Sequence, residues 1–398
     1  MDSWQRTPLG IDVLTAARQR IAWIFDHVPR IYVSFSGGKD STVMLHLVMD
    51  EAITRGVKVG VLFIDWEAQY KLTIDHVQAM FDRYQDHIDP HWVCVPLKTV
   101  NATSQYEPEW TCWEAGKEAR WVREKPAHAK TEYPFYTPGM TFEEFVPAFG
   151  HWYGGGKLTA SLVGIRTGES LNRWRALTRK KSTLEDKQWT TWMSQHLYNA
   201  YPVYDWQTED LWTYHAQTGM PYNTLYDRFF QAGASIHQMR ICEPYGDEQR
   251  RGLWMYQVIE PETWGKLVAR VAGANTGALY AQESGNVLGN IKVTKPEGHT
   301  WESFAMLLLG SMPEATAEHY RNKIAVWLHW YAERNMPVED FRHGDTGAQD
   351  MPSWRRVCKM LLKNDYWCQT LCFSATKSAA YERYQKLMRK RRDQWGLI

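Results

Sequence analysis

Cysteine is scarce and scattered in this chain: its 398 residues hold six, at positions 94, 112, 242, 358, 368 and 372, and no two form a Cys-x-x-Cys pair. That spacing argues against a zinc ribbon, an iron–sulfur centre and a disulfide framework, and leaves reduced thiols. An excess of charge is also missing. The 46 Lys+Arg residues against 45 Asp+Glu give a net charge of +1, which supplies no global pull toward nucleic acid or a membrane surface. No apolar run approaches the roughly 20 residues that a membrane helix needs. Residues 1–20 are polar and then amphipathic, without a secretory apolar segment, so the cytoplasm is the expected location. What the chain does have is tryptophan, 21 residues of it, enough for core and interface with a minority left to line a base-stacking pocket. The length exceeds a usual single core and fits one large or two medium domains.

The stretch that carries most chemistry is Ser34-Phe35-Ser36-Gly37-Gly38-Lys39-Asp40-Ser41. Ile31, Tyr32 and Val33 read as a strand, and Val43, Met44, Leu47 and Val48 recur at helical spacing after the turn. Strand, tight turn and helix make a phosphate cradle, because glycines admit a ligand close to the backbone and first-turn amides point at an anion. Lys39 adds a full positive charge. A Walker loop is excluded, since Val33 and Asp40 stand where that pattern needs glycine and Ser or Thr.

Around this loop the pattern alternates. A helix is expected over 11–25, a buried parallel strand over 57–64 ending in Asp65-Trp66-Glu67, a helix to about residue 84, and a third strand over 92–97. The β-α-β-α-β order predicts a doubly wound, mostly parallel α/β sheet, with ligands beyond the carboxyl ends of its strands. Ser36-Gly37-Gly38 and Asp65-Trp66-Glu67 both fall at such ends and are expected to flank one nucleotide. Residues 101–150 read as an irregular insertion, with a basic stretch at 117–130 best taken as a solvated excursion. A strand resumes over 158–165 and closes in Gly164-Ile165-Arg166-Thr167-Gly168-Glu169-Ser170-Leu171-Asn172-Arg173. The guanidinium groups of Arg166 and Arg173 suit phosphate or sulfate oxygens, with a surface ion-pair network as the plainer alternative. Thr208 is expected to cap the helix that follows, with Glu209 and Asp210 in its first turn.

These segments together resemble the phosphoadenosine phosphosulfate (PAPS) reductase-like family of the PP-loop, or adenine nucleotide α-hydrolase-like, superfamily. The likeness rests on Ser36-Gly37-Gly38-Lys39-Asp40-Ser41, on Gly164-Ile165-Arg166 with Arg173, on Tyr201-Pro202 through Asp205-Trp206 to Thr208-Glu209-Asp210, and on Pro221-Tyr222-Asn223-Thr224-Leu225-Tyr226-Asp227. It spans about residues 11–250. The whole chain is similar to a longer subgroup with a helical C-terminal domain, which includes immunoglobulin-binding regulator A, through Phe63-Ile64-Asp65-Trp66-Glu67-Ala68-Gln69, residues 240–246 and His319-Tyr320-Arg321-Asn322-Lys323-Ile324. The resemblance implies an N-terminal nucleotide-binding domain (1–258), a C-terminal helical domain (259–398) and a ParB-like protein partner.

It also implies a site. Ser34, Ser36, Gly37, Gly38, Lys39, Asp40 and Ser41, with Asp65, Trp66, Glu67, Gly164 and Arg166, are expected to hold ATP or PAPS. Lys39, Asp40, Arg166, Arg173 and, for sulfur chemistry, Cys242 are the expected catalytic groups, and Asp40 and Asp65 the expected Mg²⁺ ligands. For Asp40 a simpler role beside the helix dipole competes evenly. PAPS reductases place a nucleophilic cysteine in a C-terminal Glu-Cys-Gly-Leu-His segment, whereas residues 393–398 here read Asp-Gln-Trp-Gly-Leu-Ile. Cys242 is the remaining cysteine near the expected site, so transferase-type chemistry on ATP ranks ahead of oxidoreductase chemistry on PAPS, with a nucleotide-sensing regulator third. Beyond residue 259 helices are expected over 301–309, 315–330, 354–364 and 375–395. The last of these is rich in Lys and Arg from 377 to 392, which reads as a solvated face or a nucleic-acid contact.

Overall fold

Runs of β-branched and aromatic residues that have no polar face must be covered on both sides, and here they pair side by side. In the computed structural model, which describes residues 10–104, 107–169, 173–174, 177, 182–237, 239–241, 245–246, 252–275, 295–341, 352–362, 365 and 368–371, six strands form one sheet. They are β1 (Arg30–Ser34), β2 (Val59–Ile64), β3 (Ile88–Val93), β4 (Thr159–Val163), β5 (Thr190–Ser194) and β6 (Leu197–Ala200), in the spatial order β3-β2-β1-β4-β6-β5. Every neighbouring pair is parallel except β5 with β6, an antiparallel hairpin with a register irregularity between Trp192 and Ser194. Helices flank this mostly parallel sheet, as the α/β expectation required. The order reverses at β1 and β4, whose carboxyl ends carry the glycine loop and Gly164-Ile165-Arg166.

Helix α1 (Val13–His27) starts at Asp12, whose carboxylate accepts from Thr15 N at 2.9 Å. It packs on α2 (Lys39–Arg55), which Gly38 opens and Gly56 closes. Helix α3 is Lys71–Arg83. Helix α4 (Phe142–Gly154) packs on β4 and β6, and its Phe149 and Tyr153 meet Tyr32 of β1 edge to face. This helix begins inside the stretch read as irregular and runs past its end. Its signal is a capping box, Thr141 Oγ1 accepting from Glu144 N while the Glu144 carboxylate accepts from Thr141 N. The third strand begins at residue 88 rather than 92 and includes Pro90. Residue 130 then crosses its end, Lys130 N donating to Trp92 O and Lys130 O accepting from Cys94 N.

Helix α5 (Thr208–Thr218) corrects one expectation: Gln207, not Thr208, is its cap residue, with Gln207 N donating to the Asp210 carboxylate at 2.6 Å. The Thr208 hydroxyl lies instead 3.5 Å from the Arg166 guanidinium. Short helices α6 (Leu225–Gln231) and α7 (Trp254–Ile259) and helix α8 (Pro261–Arg270) follow.

The chain divides into two compact units, one of residues 1–99, 110–244 and 252–270, the other of residues 100–109, 245–251 and 271–398. In the second, α9 (Trp301–Ser311), α10 (Glu314–Ala332) and α11 (Trp354–Leu362) gather a core of Phe304, Leu309, Tyr320, Trp327, Val357 and Leu361. Cys358 and Cys368 are buried there, and burial pushes each thiol up to about 12. The expected helix over 375–395 and Cys372 lie outside the described residues. Among the described residues, no helix is long and apolar enough to cross a membrane.

Candidate functional site

Gly37 has φ +73°, and a Cβ there would come within 2.9 Å of Thr73 and Val77 side chains on α3, so only glycine fits this turn without displacement. Ser34 ends β1, and the loop then folds on itself. Ser36 N and Oγ meet Ser41 Oγ at 3.3 and 3.0 Å, and Ser41 Oγ donates to Gly38 O at 3.1 Å. Gly164 presses on the same place from β4: a Cβ would sit 2.9 Å from Ser41 N and 3.0 Å from the Asp40 carbonyl carbon.

This close approach delivers Arg166 to the first turn of α2. Its Nε donates to Asp40 Oδ1, and Lys39 Nζ lies 3.2 Å from Asp40 Oδ2. All three side chains are buried. Burial alone would raise the Asp40 carboxyl, but Lys39 and Arg166 beside it hold it below the usual carboxylate value. Burial lowers the Lys39 ammonium, with Asp40 opposing and Arg166 and Arg240 assisting the drop. The result is a desolvated trio at the mouth of the glycine loop in which one carboxylate is shared by two cations, leaving an excess of positive charge.

A third segment covers the loop, and sequence patterns alone gave its residues no role. Asn223 Nδ2 donates to Gly37 O at 3.0 Å and to Thr73 Oγ1 at 3.1 Å. Lys39 N donates to the Tyr226 hydroxyl at 2.9 Å, and Met239 O accepts from Lys39 Nζ at 3.4 Å. Arg173 pairs with the Glu169 carboxylate, and Arg240 donates to Glu169 O at 2.9 Å. Ser170, Leu171, Asn172 and Cys242 lie outside the described residues.

Asp65, Trp66 and Glu67 are organised differently. The fully buried Asp65 carboxylate accepts from Trp92 Nε1 at 2.7 Å, Glu67 N at 2.9 Å and Arg123. Glu67, at φ +63°, accepts from Trp113 N at 2.6 Å, Val122 N at 3.2 Å and Arg270 Nε at 2.9 Å. Burial raises the Glu67 carboxyl, and Arg270 pulls against it. Trp66 is buried against Phe142. Arg123 corrects the reading of 117–130 as a solvated excursion, since its guanidinium turns inward to Asp65, and Arg270 went unnoticed; both pair with residues just past β2, across 58 and 203 positions that leave no spacing to read. Among the described residues no hydrogen bond joins this network to Lys39, Asp40 or Arg166, and no group of three or more His, Cys, Asp or Glu residues could hold a metal. Cys94 and Cys112 are buried, and burial drives both thiols far above the ordinary thiol value.

Comparison with known proteins gives the following. The chain is 48% identical over 400 residues to the uncharacterized protein YbdN of Escherichia coli K12, covering 99% of this chain and 98% of that one. The Candida auris PAPS reductase in its phosphate complex is 16% identical, covers 57% of this chain and 88% of its own, and has a TM-score of 0.30. The Candida glabrata FMN adenylyltransferase is 16% identical, with 54% and 57% coverage and a TM-score of 0.34. Residues 233–342 and 340–382 match a domain of unknown function, DUF3440. Residues 30–233, more than half of the chain and the part that holds the glycine loop and Arg166, match the phosphoadenosine phosphosulfate reductase domain, and the chain belongs to that family.

Proposed function

We propose that this chain is an adenine-nucleotide-binding PP-loop enzyme that cleaves ATP between its α and β phosphates. Water or an acceptor attacks the α-phosphorus, the bridging oxygen leaves with pyrophosphate, and AMP or an adenylated acceptor remains. The observation that carries this reading is the buried Lys39–Asp40–Arg166 trio on the glycine loop. Such chemistry needs positioning and charge neutralisation more than a nucleophilic side chain. The loop serines and glycines, with Gly164 on the other side, hold the phosphates, and Lys39 and Arg166 offset charge on the departing pyrophosphate. Arg173 reaches the same oxygens after release from Glu169.

Mg²⁺ bound by one or two carboxylates and substrate phosphates needs no protein cage, and Asp40 offers such a carboxylate. When bound it would neutralise phosphate charge. Either carboxylate would exchange an ion pair for the metal, Asp40 its contacts with Arg166 and Lys39 and Asp65 its contact with Arg123.

PAPS is the second reading, favoured by the family match. It requires a thiolate to attack sulfate sulfur, and Cys94, Cys112, Cys358 and Cys368 are buried thiols held protonated. Of the remaining two, Cys242 and Cys372, Cys242 is the one that follows Met239 and Arg240, whose contacts reach Lys39 and Glu169, and it is the candidate to carry the step. Incubation with Mg-ATP, and separately with PAPS and a thiol reductant, followed by chromatography decides between them. Pyrophosphate with AMP or an adenylated species, lost by about 100-fold or more in Lys39→Ala, is the expected result. Sulfite and adenosine bisphosphate, lost in Cys242→Ala, would overturn it. Nucleotide-dependent thermal stabilisation without product, also in the presence of a ParB-like partner, would make the protein a cytoplasmic nucleotide sensor.

A further inference from the structure

The segment that covers the loop also walls a second cavity, for which the phosphate chemistry has no use. An open pocket of about 180 Å³ is lined by Trp212, Tyr222, Tyr226, Asp227 and Phe230, with Ile236 and Met239 as its aliphatic walls. For scale, an apolar cavity of about 150 Å³ accepts a benzene ring. Three of its walls are aromatic rings, Trp212 packing T-shaped with Tyr222 at 5.3 Å and 87° and with Tyr226 at 5.5 Å and 77°. Its one ionised wall is a carboxylate, the exposed Asp227, which accepts from the Tyr222 hydroxyl at 3.0 Å. Phe230 stands 69% exposed at its rim, and Trp212 Nε1 is buried without an acceptor among the described residues.

Aromatic rings and a single carboxylate both favour positive charge, and a weakly hydrated ammonium loses little on settling into such an open pocket. A purely apolar guest would gain nothing from Asp227. Two walls are shared with the loop: Tyr226 holds the Lys39 amide and Met239 O the Lys39 ammonium. We infer that the Trp212–Tyr222–Tyr226–Asp227 pocket is a subsite for a small organic cation, a quaternary or tertiary ammonium group of the second substrate, set beside the phosphates on the loop. The inference rests on the loop being a phosphate site. A cation there is repelled by Lys39 when the loop is empty and attracted once an anion is bound, so the two ligands tighten each other equally.

The test is calorimetric titration of the full chain with choline and with its uncharged analogue 3,3-dimethyl-1-butanol, each with and without inorganic pyrophosphate. Choline is expected to saturate, with the analogue, Asp227→Asn and Trp212→Leu each weakening binding by about tenfold. Pyrophosphate is expected to tighten choline severalfold. Asp227 is exposed, so Asp227→Asn keeps the test independent of folding. Equal binding of the analogue, unchanged affinity in Asp227→Asn, or no saturation overturns the subsite. Pyrophosphate titrated alone reads the loop separately: if wild type binds it, Lys39→Ala does not, and choline fails, the phosphate reading stands and the cation subsite falls.

Discussion

Two histidines behind the glycine loop should make the fold acid-sensitive in a way that can be counted in protons. His46 and His76 lie on α2 and α3. His46 Nε2 donates to Pro221 O at 2.8 Å while its Nδ1 accepts from the Tyr84 hydroxyl at 2.6 Å, and His76 Nε2 meets Thr42 Oγ1 at 3.0 Å. Burial is the main force that lowers both to about 4. The unfolded chain takes up these protons near pH 6.5 and the folded one only near 4, so stability falls as pH drops through that window and levels off below it. At pH 5 each unfolded imidazole holds about 0.9 proton more than its folded counterpart, so the pair gives a slope of about 2.4 kcal/mol per pH unit. Integrated from pH 7 to pH 5, the loss is about 3–4 kcal/mol, a large share of a typical domain stability. Burial lowers His91 and His215 as well, which adds in the same direction. Urea unfolding at pH 7, 6 and 5, followed by circular dichroism, measures the slope. His76→Gln is expected to remove about 1.2 kcal/mol per pH unit from it near pH 5, whatever the variant's absolute stability. A slope equal to wild type in both His76→Gln and His46→Gln would show that these imidazoles are not held neutral.

Gly164→Ala adds a methyl within 3.0 Å of the α2 backbone, and is expected to destabilise by about 1–3 kcal/mol and to weaken ATP binding, read by unfolding and titration on the same sample. Arg270→Met strands the Glu67 charge and should cost about 3–5 kcal/mol, whereas the double variant with Glu67→Gln should recover much of it; a double-mutant cycle that sums additively would refute the pairing. Arg166→Ala leaves Asp40 with Lys39 alone and is expected to reduce pyrophosphate release from ATP by about 100-fold with a smaller effect on unfolding, as product chromatography and denaturation would report.

Local chemistry was readable from the sequence where it is local. The glycine loop, the apolar run before Asp65 and the Gly164-Ile165-Arg166 turn announce strand ends by residue type alone, and the sheet follows from their order. The sequence pattern placed strand three over 92–97 because Cys94 and Val95 are as buried as Trp92 and Val93, although the ladder stops where Lys130 crosses. Aromatic density hid α4 between Phe142 and Gly154, where Pro147 and scattered rings obscure the helical period. In the site, Lys39, Asp40 and Arg166 were legible as charges at strand ends. The Tyr226 hydroxyl on the Lys39 amide and the Arg270 pair with Glu67 were not, since partners nearly 200 residues apart leave no spacing to read.

The borders of the sheet have a consequence for how this protein can meet its own copies. At one border β3 contains Pro90, which has no amide hydrogen to offer, and the crossing at Lys130 occupies its end. At the other, β5 turns antiparallel, loses register between Trp192 and Ser194, and spends Trp192 N on Ser182 O. A ladder can be extended only by a border with a regular row of vacant amides and carbonyls. Among the described residues neither border of this sheet provides one over its whole length, which disfavours edge-to-edge growth into fibrils at either end.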